Sequence, residues 1–274
     1  MILALILEPG PFDSAYGFQR ALDYAGAVGG SLMAAAALTW WDSNLSHVIV
    51  LSFVPAMVAW LMLALLLRER KRPVVSAERS PVPPLRWSAL SPAMRRFLPV
   101  LAVFSLSRAS EAFILLRGHE LGMSAVALLL LWAALCAVQS GVALLGGGLS
   151  DRFSRRGVAA LSWAMYGASF LFFAAVGSVG GLWAAVVVYA LLSGMSEGAE
   201  RAFVSDLSTA IDRGTAFGWY NMVVGLAAVP AGALFGVVWH YYGAAAAFAM
   251  AGALGLAASV ALRLLPQPYA AAKI

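Results

Sequence analysis

Charge is scarce in this chain. Of its 274 residues only 11% are Asp, Glu, Lys or Arg, while 62% are hydrophobic. Soluble domains carry about 25% charged residues. That deficit excludes a soluble fold, which could not hide so much apolar surface, and makes the bilayer the solvent for most side chains. Cysteine is almost missing. Cys136 stands alone in an apolar run, which excludes an intrachain disulfide and any Cys/His metal spacing. The three histidines, His47, His119 and His240, fall at the ends of apolar runs. There is no H-E-x-x-H, G-x-S-x-G or P-loop pattern. Gly146-Gly147-Gly148 is not followed by Lys-Ser/Thr and reads as a flexible helix end. Nothing nominates an enzyme, a metal or a cofactor. Met1–Leu7 is apolar but too short to span, and no basic segment precedes it, so it does not read as a signal peptide.

What the chain does have is long apolar runs and a concentrated block of positive charge. Crossing a bilayer takes about 20 apolar residues. Eight stretches qualify: 17–39, 47–67, 98–117, 124–147, 157–178, 182–204, 215–239 and 243–264. Eight of the 18 Lys and Arg residues lie between Arg68 and Arg96. Basic loops stay in the cytoplasm, so this segment is placed inside, and the spans alternate from there. Asp151, Arg152, Arg155, Arg156, Arg201, Arg213, Arg263 and Lys273 then fall inside, and Arg117 outside. Trp40, Trp41, Trp183, Trp239, Tyr241 and Tyr242 fall at outer ends, as interfacial aromatics should. Both termini are expected in the cytoplasm of a bacterial inner membrane. The net charge of +5 is read as topogenic and favourable to anionic lipid, not as a nucleic-acid signal. Ser76–Leu85 is Pro- and Ser-rich and reads as a flexible linker.

An internal repeat sets the organisation. Ala15-Tyr16-Gly17-Phe18 matches Ala216-Phe217-Gly218-Trp219, and each opens a span from the inner side. Glycines four apart follow both, Gly26 and Gly30 in one and Gly232 and Gly236 in the other. Such spacing lets helix backbones approach. The matching element is the first span before the basic loop and the fifth after it. Symmetry therefore leaves four spans unaccounted for at the N-terminal side. The expected division is a two-span piece of an N-terminal bundle over 1–67, a basic cytoplasmic linker over 68–97, and a six-helix bundle over 98–274.

Arg108 and Glu111 are the sharpest polar feature. They lie roughly 15–20 Å into the third span at 1.5 Å per residue, and a spacing of three places them on one face of a continuous helix. Charges at such depth cost about 2.5–3.5 kcal/mol each on insertion scales and are expected to face protein or water. Tyr189, Ser193 and Glu197 recur every four residues along the sixth span as a polar stripe lining water or a helix interface, while Gln139 and Ser140 form a smaller polar spot, read as interface packing, in the fourth.

Three stretches resemble the major facilitator superfamily of transporters. Gly147-x-x-x-Asp151-Arg152-x-x-Arg155-Arg156 is similar to its signature inner loop, with Ser154 where the family usually has Gly. Glu197-Gly198-x-Glu200-Arg201-Ala202, followed by Arg213-Gly214-x-Ala216-Phe217-Gly218, resembles the junction of the tenth and eleventh helices. Gly17-Phe18-x-Arg20-Ala21-x-Asp23 resembles the start of the fifth. The resemblance implies an all-α membrane bundle holding helices five to twelve of twelve, its N-terminal bundle incomplete. It implies that the third span here lines a central cavity, with Arg108, Glu111, Gln139, Tyr189, Ser193 and Glu197 along the solute pathway. It also implies an inner latch in which Asp151 meets the start of the helix near Ser14–Tyr16. Arg152 or Arg155 then pairs with Glu200 or Asp206, and Arg201, Arg156, Arg20 and Asp23 lie alongside. The expected function is alternating-access transport of a small solute, with Glu111 or Glu197 as the groups through which protons would couple. The rival reading is a truncated remnant, or a subunit needing a separate N-terminal bundle as partner. The orientation has a direct check. A reporter fused within 73–90 should be cytoplasmic and one at Gly180 external; the reverse at both sites overturns it.

Overall fold

The computed structural model of the chain describes residues 12–40, 45–66, 87–108, 110–146, 154–193, 196–209 and 212–266. Among the described residues the regular structure is helical. In order these are α1 (Phe12–Trp40), α2 (Leu45–Leu51), α3 (Phe53–Leu66), a 3₁₀ turn (Trp87–Ala89), α4 (Pro92–Ser107), α5 (Ala112–Glu120), α6 (Ala125–Gly146), α7 (Arg155–Ala174), α8 (Val179–Ser193), α9 (Ser196–Asp206) and α10 (Arg213–Leu264). Among the described residues six helical stretches are long and apolar enough to cross a membrane, and α8 is a shorter apolar helix. The expected all-α membrane bundle is what the structure shows.

Several expected spans differ in detail. The third begins at Pro92 rather than 98. Ser91 caps α4, its hydroxyl accepting from the Met94 N–H at 3.1 Å and donating to the Leu207 carbonyl at 2.7 Å, and Pro92 at the first helical position has no N–H to leave unpaired. The same span is not continuous, because α4 stops at Ser107 and α5 starts at Ala112. The sixth is divided between the apolar α8 and the more polar α9. The last two form the arms of α10, which turns at Gly243 with φ 85° and ψ 169°. Only glycine takes that conformation without strain. The basic linker between 67 and 86 lies outside the described residues.

The core is built from α4–α10. Phe97, Phe104, Trp163, Phe170, Phe173, Phe235 and Phe248 are buried within it, and the Phe104 and Trp163 rings stack at 4.1 Å. Lipid tails are as apolar as these side chains, so close packing rather than water exclusion must hold the helices. α7 and the final arm of α10 touch through glycine: a Cβ at Gly167 would lie 2.8 Å from the Gly252 carbonyl oxygen, and one at Gly252 would lie 2.8 Å from that of Gly167. α1 lies along α6, joined by a hydrogen bond from the Ser140 hydroxyl to the Ala21 carbonyl at 2.9 Å. The span over Ser46–Leu65 is different, for none of its window is buried against the rest of the chain.

The glycine contact predicts a packing defect. Gly252→Val should force α7 and the last arm apart and cost about 1–3 kcal/mol, the usual penalty of overpacking. Gly225→Val, at a position with open space around it, should cost markedly less. Thermal unfolding in one detergent compares the two.

Candidate functional site

The polar centre is built around the break between α4 and α5. Ser107 shows why the helix stops. Its hydroxyl turns back to the Phe104 carbonyl at 2.6 Å, and its carbonyl accepts from the Tyr166 hydroxyl at 3.2 Å. A serine bonding its own turn competes with the helical ladder, and the Tyr166 bond satisfies a carbonyl the ladder would have used. Arg108 follows with φ −76° and ψ 77°, outside the helical region. Irregular backbone at membrane depth survives only where it is buried in protein or faces a wet cavity.

The break sends the two charges to different partners. Arg108 and Glu111 were expected on one helix face; the structure corrects this, because the residues between them are not helical. Arg108 Nη1 lies 3.5 Å from Glu200 Oε2. Glu200 is 1% exposed. Its carboxylate also accepts from Trp163 Nε1 at 2.9 Å and from the Tyr220 hydroxyl at 2.9 Å. One buried carboxylate thus joins α7, α9, the first arm of α10 and the end of α4. Glu200 was assigned to the inner latch as a partner of Arg152 or Arg155, and its bonds place it in the polar centre instead.

Glu111 turns the other way. Its Oε1 accepts from the Tyr189 hydroxyl at 2.8 Å and from Gln139 Nε2 at 3.4 Å. The same Gln139 nitrogen donates to Ser193 Oγ at 3.0 Å. The expected meeting of the third span with the Tyr189–Ser193 stripe therefore appears through Glu111, with Gln139 as the bridge from α6. The Glu197 side chain lies outside the described residues.

The basic end of the bundle holds a second set of contacts. Arg155 Nη1 lies 3.0 Å from Asp206 Oδ1, with both side chains nearly half exposed. Arg156 donates to the Leu262 carbonyl at 2.9 Å and to the carbonyl of Arg263. It thereby caps the last turn of α10, where unpaired carbonyls and the negative end of the helix dipole favour a cation. Arg201 is exposed on α9, Arg20 lies over the Tyr24 ring at 5.1 Å, and Asp23 is exposed on α1. Asp151 and Arg152, and the side chains of 12–19 that Asp151 was expected to meet, lie outside the described residues.

Trp163, Tyr166 and Tyr220 were not foreseen as site residues. Two of them donate to Glu200 and one to the Ser107 carbonyl. An indole N–H or phenol buried in an apolar span needs a partner, and that need was the available signal.

A helical bundle with charged side chains at mid-depth defines a polytopic integral membrane protein. The family model described as Major Facilitator Superfamily matches residues 97–274, and the chain belongs to that superfamily. It is also 29% identical over 247 residues to an uncharacterized MFS-type transporter of Methanocaldococcus jannaschii, an alignment covering 86% of this chain and 60% of the relative. The chain thus spans less than two thirds of that relative's length.

The Glu200 cluster makes a stability prediction. Removing the carboxylate strands Arg108, Trp163 and Tyr220 together, so Glu200→Ala should cost about 3 kcal/mol, the scale for breaking a buried pair. Trp163→Phe deletes one hydrogen bond and should cost about 1–3 kcal/mol. Denaturant unfolding in detergent orders them; an Ala variant as stable as the parent would show that the cluster carries no stability.

Proposed function

We propose that the chain is a secondary active transporter of a small solute, working by alternating access about the break between α4 and α5, with Glu111 able to couple protons. The observation that carries this reading is the break itself. Arg108 and Glu111 flank it, both partly accessible, and are tied to different helices. Binding sites of transporters are commonly formed by interrupted helices near the midplane. Membership of the superfamily and the MFS-type transporter relative support the same reading. In it, 98–274 form one rocking bundle and 1–67 contribute spans to the other. The basic loop is cytoplasmic, and the Arg155–Asp206 pair holds the inner side closed together with Asp151 and Arg152. A second reading, a chain that needs a separate helical bundle as partner, is favoured by the Ser46–Leu65 span, whose window buries nothing against this chain.

Accessibility tests the cycle without a known solute. Ser110 is exposed beside the break. Ser110→Cys on a Cys136→Ser background should react with a membrane-impermeant maleimide from both faces, in right-side-out and in inverted vesicles. Labelling from one face only would remove alternating access. Asp206→Asn should raise labelling from the cytoplasmic face by about twofold, since an exposed pair is worth about 0.5 kcal/mol. Glu111→Gln should leave insertion intact and abolish any dependence of the labelling ratio on a pH gradient.

A further inference from the structure

One carboxylate at the helix break has no ion-pair partner among the described residues. Arg108 pairs with Glu200, while Glu111 forms no ion pair among the described residues and is held by neutral donors, Tyr189 and Gln139. A carboxylate at this depth without a cation is costly. Both bonds to Glu111 fall on Oε1, so Oε2 keeps its capacity to accept.

A second observation points to the same spot. Gln139 is 2% exposed. Its Nε2 is fixed by Ser193 and Glu111, but its Oε1 is buried with no hydrogen-bond partner among the described residues. Buried side-chain acceptors are nearly always paired. Two acceptor oxygens, one formally charged, therefore belong to side chains that touch each other through Gln139 Nε2 and Glu111 Oε1. The missing chemistry is a single positive charge that carries N–H donors. A bare divalent ion is a poor match: it would be ligated by several oxygens, and the described residues hold no group of three or more His, Cys, Asp or Glu suited to a metal. Apart from Gln139 and Ser140, α6 is apolar and so offers contact to a hydrocarbon body.

We infer that the polar cluster of Glu111, Gln139, Tyr189 and Ser193 takes a protonated primary amine with an apolar body. The ammonium sits against Glu111 Oε2 and donates to Gln139 Oε1. This rests on the transport reading and gives the solute of that site its chemical class.

The test is equilibrium binding to the full chain purified in detergent, read by tryptophan fluorescence and by thermal shift. The probe is n-butylammonium chloride, compared with tetramethylammonium chloride and sodium chloride at equal ionic strength. Butylammonium should bind saturably. Tetramethylammonium, which has the charge but no N–H, should bind at least about tenfold more weakly, the scale of a charge-assisted hydrogen bond. Glu111→Gln and Gln139→Met should each weaken butylammonium by about tenfold or more. Gln139→Glu, which adds a second anionic acceptor, should tighten it, so the idea stays testable if one variant fails to fold. No saturable butylammonium binding, equal binding of tetramethylammonium or sodium, or affinities unmoved by these substitutions would overturn the inference. Two-sided labelling at Ser110→Cys needs no ligand. If labelling is two-sided and amine binding is absent, only the amine is wrong; one-sided labelling removes the transport reading itself.

Discussion

A buried carboxylate in a bilayer must find its donors inside the protein, and much of this structure can be traced to how Glu200 does so. Glu200 is 1% exposed, and an unpaired ionised group so buried would cost several kcal/mol. Trp163 and Tyr220 approach from two other helices, and Arg108 from a third. That last approach is available because α4 has already ended. A guanidinium on a continuous helix would share its face with Glu111, whereas the non-helical turn frees it to go elsewhere. The ion pair and the helix break thus support each other: the break aims Arg108, and the pair helps meet the cost of irregular backbone in the membrane.

Glu111 inherits the consequence. With Arg108 engaged, it is held by a phenol and an amide, neither of which neutralises it. The bundle therefore contains one closed polar cluster and one open one, a few residues apart in sequence. The closed cluster ties several helices together, and the open one retains acceptor capacity on Glu111 and Gln139. Both face a frame held by stacked aromatics and by glycine contacts between α7 and the final arm of α10.

Much of this was legible in the sequence, and the rest was hidden for physical reasons. Apolar runs of bilayer length located the spans, because that length is imposed by the membrane and not by the fold. The depth of Arg108 and Glu111 marked them as interior, because charges facing lipid are penalised. The partners could not be read. Spacing of three implied a shared helical face, and that rule fails once Ser107 turns its hydroxyl into its own helix and Tyr166 takes its carbonyl. Glu200 read as a latch partner at the end of the sixth span, since its donors Trp163 and Tyr220 lie on other helices and leave no local pattern. Gln139 read as interface packing, yet it is the link between α6 and the Glu111 cluster. The Arg155–Asp206 contact is of the kind that the signature-loop resemblance implied.

The turn at Gly243 carries a mechanical consequence. The arms 213–242 and 244–264 meet at a single residue with positive φ, so there is no slack between them at that end. Two rods joined so tightly cannot slide past one another; they can only scissor about the joint. The first arm carries Tyr220, bonded to Glu200, and the second carries Gly252, pressed against Gly167. Any tilt of α7 is thus delivered to the polar centre twice, once through the carboxylate and once through the hinge.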